Sequence, residues 1–375
     1  MKTVKILHCA DIHIGAAESF LGAAAEKRQF ETLLTFEGIV DLCLEKGVQL
    51  LAISGDLFDS NRIPTRFVDA VFEKLASAAP LRVVFAAGNH DPLDAESPFL
   101  NRTLPSNLTV LSTEDEAVIF EDIGVRVCGR SFASGFLKGE PNFKIPVKAD
   151  DYINIMVQHG ELRSDPGSNY NSITPDFVKN SGMDYIALGH VHKRSEIGRM
   201  GNTFFAYCGC PEGQGFDELD RKGVYMGKIG KGVCDLEFVP VSKRQHIHQK
   251  IDITDCDGGI AEYISGELRS LYGEGYGENL YKIELVGSIS TERDVNLSEI
   301  GARLSQELYF VKLKDSTECI IDTEGLAKET SLKGIFVKTM LERTANAPED
   351  ERHLYRKALK LGLKAFSGEV KYSED

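Results

Sequence analysis

Five short polar clusters each follow an apolar, strand-like run of the sequence. Most of them include a glycine, which lets the backbone turn sharply off a strand and aim the neighbouring side chain. Because polar residues directly after the strands of an α/β sheet gather outside the strand ends, we expect the five clusters to form one site. They are Asp-Ile-His at 11–13, Gly-Asp-Leu-Phe-Asp at 55–59, Gly-Asn-His-Asp at 88–91, Gln-His-Gly at 158–160 and Gly-His-Val-His at 189–192.

These clusters supply more candidate metal ligands than one ion needs. Mixed oxygen and imidazole donors suit Mn, Fe, Zn or Co better than Mg or Ca, which prefer oxygen alone. Two ions roughly 3.5–4 Å apart can hold both the attacking and the leaving oxygen of a displacement at phosphorus, and they lower the pKa of a bridging water. The sequence therefore predicts a two-metal site that hydrolyses a phosphoester, with two ions sharing one carboxylate. The predicted ligands are Asp11, His13, Asp56, Asn89, His159, His190 and His192.

Each candidate also has a purely structural explanation. Asp11 or Asp59 alone could cap a turn or a helix after a strand, and Gly88-Asn89 is a common turn dipeptide. A single histidine such as His159 is more often a hydrogen-bonded residue than a ligand. Together these explanations fail, because they require ligand-type residues at five successive strand ends by accident. Structural roles are assigned to the remaining histidines, which are His8, His246, His248 and His353.

The five clusters resemble the motifs of the calcineurin-like metallophosphoesterases, and within that superfamily the SbcD-type DNA double-strand-break repair nucleases, YhaO-like branch. The resemblance covers all five motifs between Asp11 and His192, and it extends more loosely to the segment Pro-Glu-Gly-Gln-Gly-Phe-Asp-Glu at 211–218. It implies 3′ to 5′ exonuclease and single-strand endonuclease activity. Mn²⁺ is the expected cofactor, with Fe, Zn, Co or Mg as other possibilities.

The same resemblance implies a role for each site residue. One ion would be held by Asp11, His13 and His192, the other by Asn89, His159 and His190, with Asp56 bridging the two. His90 would stabilise or protonate the leaving oxygen. Asp59 would orient His90 by accepting a hydrogen bond from its ring.

Two positions argue against a protein phosphatase. Protein Ser/Thr phosphatases of the superfamily characteristically have Arg and Glu where this sequence has Ser60 and Asp91. Cyclic-nucleotide phosphodiesterases of the family are usually shorter and lack a capping domain with a helical tail. We therefore favour DNA as the substrate. A phosphodiesterase or phosphatase acting on a small molecule, and a non-catalytic scaffold for a coiled-coil ATPase, remain as alternatives.

The elements that must position these residues are short strands that alternate with helices. The spacing of apolar residues predicts helices at 23–46 and 65–78, and the unbroken apolar run at 50–53 suits a strand buried on both faces. The fold class is therefore α/β, a layered sandwich of mixed β-sheets flanked by helices. Three parts are expected: a catalytic domain (1–245), a smaller α/β capping and DNA-binding domain (246–330) and a C-terminal helical partner-binding tail (331–375).

Charge limits how a nucleic acid can bind. The 375 residues contain 43 Lys+Arg and 57 Asp+Glu, a net charge of −14, which excludes a uniformly basic surface. Any contact with a polyanion must be local, and loops at the strand ends are the places to expect it. The candidates are Arg62, Arg66, Arg163, Asn169 and Tyr170, although each could equally be an ordinary solvated loop residue.

The remaining expectations concern partners and location. The sequence shows neither an apolar run long enough for a membrane span nor a signal peptide at its start, and its eight cysteines lack any CxxC pair. We expect a cytoplasmic protein with reduced thiols. The resemblance implies a homodimer and an SbcC-like coiled-coil ABC-type ATPase bound through the C-terminal helices. That tail could equally pack on its own domain.

Overall fold

The computed structural model describes residues 2–141, 151–164, 167–219, 221–290, 295–320, 323–349 and 351–366. The chain divides into two compact units. The first comprises residues 1–249, 268–283 and 304–312, and the second comprises residues 250–267, 284–303 and 313–375. The division predicted from the sequence, with boundaries at 245 and 330, stays a prediction. Residues 350 and 367–375 of the predicted tail lie outside the described residues.

The strands are numbered in chain order. They are β1 (Thr3–Cys9), β2 (Leu50–Ile53), β3 (Arg82–Phe85), β4 (Leu108–Val110), β5 (Glu116–Phe120), β6 (Val125–Gly129), β7 (Ile153–His159), β8 (Glu161–Leu162), β9 (Ser172–Ile173), β10 (Tyr185–Gly189), β11 (Gly198–Met200), β12 (Thr203–Tyr207), β13 (Gly223–Gly230), β14 (Val233–Pro240), β15 (His246–Asp252), β16 (Leu280–Val286), β17 (Ser288–Ser290), β18 (Phe310–Asp315) and β19 (Glu318–Ile320).

The helices include both of those predicted near the start of the chain. They are α1 (Ala25–Lys46), α2 (Thr65–Ser77), α3 (Pro98–Asn101), α4 (Pro175–Asn180), α5 (Ile260–Tyr272), α6 (Leu297–Leu304), α7 (Thr323–Leu326), α8 (Leu332–Asn346) and α9 (Arg352–Phe366). Helix α1 ends where Gly47 adopts a left-handed conformation (φ 63°), which side chains other than glycine tolerate poorly. Within the described residues, the helices lack the combination of length and apolar character needed to cross a membrane.

Two six-stranded mixed sheets form the centre of the first unit. The first has the order β14-β13-β1-β2-β3-β4, and the second has the order β11-β12-β10-β7-β6-β5. Strands β1 to β4 run parallel to one another, as do β6, β7, β10 and β12. Antiparallel strands complete both sheets, with β13 and β14 on the first and β5 and β11 on the second. The predicted class of mixed sheets flanked by helices is confirmed.

Alternating side chains of one strand explain the layers. On β2, Leu50 and Ala52 join a buried cluster that includes residues of the second sheet, whereas Leu51 and Ile53 pack with residues of α1 and α2. Both faces of this strand are therefore covered, which is why its sequence is an unbroken apolar run. The outer face of the second sheet is covered in part by α4, whose Val178 packs in a third buried cluster.

The two sheets bring five strand ends to one place. Strands β1, β2 and β3 are parallel neighbours, so the clusters at 11–13, 55–59 and 88–91 leave the first sheet at the same edge. Strands β7 and β10 are likewise parallel neighbours and end in the other two clusters. The sheets approach so closely here that a Cβ on Gly189 would overlap the main-chain oxygen of Ser54.

The rest of the chain forms smaller elements. A three-stranded sheet has the order β15-β16-β18, and β17 pairs with β19, as β8 does with β9. Between residues 246 and 315 the elements follow one another as β15, α5, β16, β17, α6 and β18. In the second unit, α8 and α9 pack against each other through a small apolar core formed by Val337, Met340, Leu359 and Leu363.

Candidate metal centre

The backbone at the site adopts conformations that non-glycine residues rarely take. Asp11, His13, Asp56 and His190 have φ angles of 51°, 50°, 50° and 93°, and they are four of the five non-glycine residues with positive φ in the described chain. Such conformations persist only where the surroundings impose them, and they concentrate at functional sites. Hydrogen bonds between the first two loops impose them here: the N–H of Asp11 bonds the oxygen of Gly55, and that of His13 bonds the oxygen of Asp56 (both 3.0 Å).

One group of donors is formed by Asp11, His13 and His192. The Nε2 atoms of the two imidazoles face each other at 3.1 Å, and Oδ1 of Asp11 lies 4.0 Å from Nε2 of His192. One donor atom from each of the three residues lies within 4.8 Å of the others. These are the three residues that the resemblance assigns to one ion.

A second group surrounds the side-chain oxygen of Asn89. Nε2 of His159 lies 3.0 Å from Asn89 Oδ1, and Nδ1 of His190 lies 3.1 Å from the same atom. His159 donates from Nδ1 to the main-chain oxygen of Ser54 (2.9 Å), which directs its Nε2 at the centre as the nitrogen that could hold a cation.

Asp56 lies between the two groups. Its Oδ2 is 3.3 Å from Nε2 of His159 and 3.8 Å from Nε2 of His13, so one carboxylate reaches both sets of donors. Burial opposes ionisation of Asp56, but the charge and hydrogen bond of His159 hold its pKa below the usual value. Burial raises the pKa of Asp11, against the pull of His159 and His192. Two buried carboxylates among four imidazoles form an environment that divalent cations would neutralise.

Two glycines leave room for these side chains. A Cβ on Gly55, where φ is +88°, would overlap the ring of His159, and a Cβ on Gly88 would overlap the carboxylate of Asp56. Any larger residue at either position would push a candidate ligand out of place. The glycines of the second and third clusters are therefore part of the site.

Asp91 fixes the backbone of two loops from a fully buried position. Its carboxylate accepts N–H groups from Asp56 (3.2 Å), Leu57 (2.7 Å), Phe58 (3.1 Å) and Gly88 (2.9 Å). Burial and the nearby charge of Asp56 raise its pKa to about 6. In the sequence, Asp91 stands out only as a departure from the phosphatase pattern and as the last residue of Gly-Asn-His-Asp.

Glu218 orients His192, a role that was not predicted from the sequence. Its carboxylate accepts hydrogen bonds from Nδ1 of His192 (2.7 Å), Sγ of Cys210 (3.1 Å) and the N–H of Gln214 (3.2 Å). Burial opposes its ionisation, but the His192 hydrogen bond holds its pKa at about 2. With Nδ1 of His192 committed to Glu218, its Nε2 faces His13. The only sequence signal was membership of the 211–218 segment.

The structure differs from the expectation that the Asp59 carboxylate accepts a hydrogen bond from His90. Nδ1 of His90 lies 3.0 Å from the main-chain oxygen of Asp59 and 3.8 Å from its carboxylate, which instead lies 3.2 Å from Nδ1 of His13. The carbonyl of Asp59 is the nearer acceptor, so Asp59 holds His90 through its backbone and His13 through its side chain. The His90 side chain is 44% exposed, and its ring packs edge-on against His13.

The predicted nucleic-acid contacts have different surroundings. Arg62 pairs with Glu96 at 2.8 Å, Arg163 pairs with Glu161 at 3.1 Å, and Arg66 lies over the ring of Phe67. Tyr170 stacks on the imidazole of His190, with ring centroids 4.8 Å apart, whereas Asn169 bonds through its main-chain oxygen to the N–H of Leu137. Tyr170 is therefore the member of this group that contacts a candidate ligand directly.

The ligand groups and the layered sheets together define a metal-dependent phosphoesterase. The family model described as calcineurin-like phosphoesterase matches residues 4–194, about half of the chain, and the chain belongs to that family. This confirms the family predicted from the sequence motifs.

Several characterised and uncharacterised proteins are similar to the chain. The uncharacterized metallophosphoesterase YhaO of Bacillus subtilis is 26% identical over 67% of the chain and 63% of its own length, so the chain spans less than two thirds of that relative. The DNA double-strand break repair protein Mre11 of Aeropyrum pernix is 25% identical over 71% of the chain and 67% of that protein. Mre11 of Saccharolobus solfataricus is 22% identical over 95% of the chain and 94% of that protein.

Proposed function

We propose that this protein is a two-metal phosphodiesterase that cleaves DNA as a repair exonuclease or endonuclease. The observation that carries the proposal is the convergence of the seven predicted ligands into two groups joined by Asp56. Asp11, His13 and His192 would hold one cation, and Asn89, His159 and His190 the other. Divalent cations bound there would supply Lewis-acid activation of the phosphodiester and of the attacking water.

The donor set fits such cations. Imidazole nitrogens mixed with carboxylate and amide oxygens suit Mn²⁺ and its neighbours in the transition series, and we expect Mn²⁺ to support activity. Nε2 of His13 and Nε2 of His192 lie 3.1 Å apart, close enough for both nitrogens to hold one cation.

We propose His90 as the proton donor to the leaving oxygen. Its Nδ1 must carry a hydrogen, because the main-chain oxygen of Asp59 can only accept. Its Nε2 is then available to a substrate at the exposed mouth of the site, next to His13. As an imidazolium, with its second hydrogen on Nε2, the residue would bind and orient the leaving oxygen and give it that proton, which is general acid catalysis.

An aromatic surface beside the centre favours nucleic acid over a small ester. Tyr170 stacks on His190, and the ring of Phe136, which is 61% exposed, lies 6.1 Å from that of Tyr170. Tyr170 is half-buried and Phe136 is exposed, and aromatic rings at such a place are suited to stacking of unpaired bases. The similarity to Mre11 proteins supports the same choice.

Parallel assays of DNA and of a small ester test the proposal. Labelled single-stranded and recessed-end DNA, and bis(p-nitrophenyl) phosphate, are incubated with the protein across metals, with and without chelator. We expect DNA digestion that requires Mn²⁺ and stops when chelator is added. Robust ester cleavage with intact DNA would favour the small-molecule alternative, and inactivity toward both would favour the non-catalytic scaffold.

We propose that α9 docks an SbcC-like coiled-coil ATPase. Leu354 and Leu361 on α9 are both exposed and lie seven residues apart, which puts them on one face at the spacing used in helix–helix docking. The opposite residues Leu359 and Leu363 are buried against α8. Co-expression with such an ATPase should give a complex that Leu354→Asp with Leu361→Asp abolishes, while Leu100→Asp, on another exposed leucine, leaves it intact.

We propose that α1 contributes to a homodimer. Phe30, Leu34 and Leu44 are exposed on this helix although their side chains are large and apolar. Surfaces of this kind commonly mark protein interfaces. Analytical ultracentrifugation should show a dimer that Leu34→Asp converts to a monomer, whereas Leu271→Asp on α5 leaves the sedimentation unchanged. A monomeric parent protein would contradict the proposal.

A further inference from the structure

A cavity of about 460 Å³ opens beside the metal centre and shares one wall with it. His192 forms part of that wall. The other lining residues come from the chain just after His192, from 208–210 and 221–223, and from Phe238 on β14. Gly209 has a φ of +73°, and a Cβ there would overlap the backbone of residues 192–194. Two segments of the chain, 192–194 and 208–210, therefore lie in close contact at this wall of the cavity.

The lining is basic, although the whole chain carries a net charge of −14. Lys193, Arg194, Arg221 and Lys222 supply four positive charges against one negative charge from Glu196, and Lys222 also pairs with Glu218, whose Oε2 lies 3.5 Å from its Nζ. A concave surface lined by one sign of charge concentrates ions of the opposite sign. The cavity therefore suits an anion.

Two of the four cations are held in place by the protein. Lys222 is buried and donates from Nζ to the main-chain oxygen of His192 (3.1 Å), so it ties the cavity wall to the metal centre. The guanidinium of Arg194 lies over the ring of Phe238, 4.2 Å from its centroid. Stacking uses the face of the guanidinium and leaves N–H groups at its edge for two parallel hydrogen bonds to a phosphate.

The other two cations are exposed. Lys193 and Arg221 form no ion pair within the part of the chain that the structure describes, whereas Arg62 and Arg163 each have a carboxylate partner. Uncompensated positive charge next to a phosphodiesterase centre is the feature expected where a polyanionic substrate continues beyond the reacting bond.

We propose that this basic cavity, lined by Lys193, Arg194, Arg221 and Lys222, binds backbone phosphates of a single-stranded DNA substrate that flank the phosphodiester at the metal centre. The inference rests on the proposed function and extends it by assigning the path of the strand. His192 belongs to both the cavity and the centre, so a strand with one phosphate at the metals can place the next phosphates against these cations.

Salt dependence of DNA binding tests the proposal. Anisotropy of a labelled single-stranded oligonucleotide is measured in chelator at several salt concentrations. Each phosphate contact contributes about 0.7 to the slope of log K against log salt, so the double variant Lys193→Gln, Arg221→Gln should lower the slope by about 1.4. Binding at low salt should weaken roughly tenfold. The matched control, Lys228→Gln with Lys231→Gln, removes the same charge at the opposite end of β13 and should behave as the parent.

The outcomes separate this proposal from the proposed function. Equal slopes for the two double variants overturn the proposal while DNA binding by the parent still stands. A parent protein that hydrolyses bis(p-nitrophenyl) phosphate but does not bind the oligonucleotide overturns both. Loss of inorganic phosphate binding in calorimetry, with the oligonucleotide slope unchanged, assigns the cavity to free phosphate and also overturns the proposal. Circular dichroism and thermal melting confirm that each variant is folded.

Discussion

His192 is the residue at which the metal centre, its supporting carboxylate and the basic cavity meet. Its Nε2 faces His13, and its Nδ1 donates to Glu218 at 2.7 Å. An imidazole ligand whose other nitrogen donates to a carboxylate is fixed in ring orientation and tautomer and becomes more basic. In the proposed centre Glu218 would therefore act on a bound cation through His192, as a positioning residue.

Removal of Glu218 should weaken the binding of one of two cations. We expect Glu218→Ala to lower Mn²⁺ affinity about 10–100-fold at one site, because His192 loses its orienting acceptor. Isothermal titration calorimetry measures the affinity directly. Glu218→Gln keeps an acceptor oxygen and should recover part of it, and Asp217→Ala, on the adjacent residue, should bind as the parent. Unchanged affinity in Glu218→Ala would contradict the role.

Replacement of His90 should separate metal binding from hydrolysis. Its ring is not among the seven predicted ligands, although a ring nitrogen lies within 4.8 Å of donor atoms of His13 and Asp56, and we expect His90→Ala still to bind two Mn²⁺ ions. Hydrolysis should fall by about 10²–10⁴-fold, the usual contribution of a positioned general acid. Calorimetry and turnover of the phosphodiester measure the two properties. Turnover equal to that of the parent would exclude the acid role.

At the scale of elements, α1 holds the segment that carries Glu218. Arg28 on α1 is fully buried and donates to Glu18 (3.0 Å) and to the main-chain oxygen of Gly213 (2.8 Å), and it lies 2.9 Å from the carboxylate of Glu212. Arg28 thus ties the helix to residues 212–213, a few residues before Glu218. The buried ion pairs determine where this segment runs.

Arg28→Ala should destabilise the fold. It leaves the buried carboxylates of Glu18 and Glu212 without their cation, and breaking a buried pair in this way costs about 3–5 kcal/mol. Urea unfolding measures the change in the free energy of unfolding. Arg62→Ala is the control, because its pair with Glu96 is exposed and its loss should leave stability nearly unchanged. A small effect of Arg28→Ala would contradict the proposed role of the network.

His246, at the start of β15, should make stability depend on pH. Its ring is buried with neither nitrogen hydrogen-bonded in the described structure, and burial together with the charge of Arg28 lowers its pKa to about 4. Between pH 6.5 and 4 the unfolded chain takes up a proton that the folded protein does not. The parent should therefore lose stability as the pH falls through this range, and His246→Gln should lose less. Parallel pH profiles of the free energy of unfolding would contradict this.

At the scale of the whole molecule, metal binding should be coupled to stability. The centre concentrates two buried carboxylates and four strained backbone positions, which are costly without a compensating charge. A cation that binds only the folded state adds about 2.7 kcal/mol at a free concentration 100 times its Kd. We expect Mn²⁺ to raise Tm and chelator to lower it in differential scanning fluorimetry. Asp56→Asn should show a smaller rise, and an equal rise would show that the metal binds elsewhere.

Much of the fold and site was predictable because the relevant signals are local. An apolar run bounded by turn residues predicts a buried strand, and a polar cluster after it predicts a functional loop, as at Leu50–Ile53 and Asp56. Because the ends of parallel strands lie at one edge of a sheet, the five clusters are then predicted to lie close together. The family followed from the same motifs.

What the sequence by itself determined is the identity of the candidate ligands, the layered α/β class and the family. Only the tertiary structure decided how Asp59 divides its two contacts between His90 and His13, and which acceptor orients His192. The basic cavity is also visible only in the tertiary structure, because its cations come from two separate loops, one after β10 and one before β13. The physical reason is that these contacts depend on side-chain directions and on distances between segments far apart in the chain, and no local pattern of residue types records either quantity.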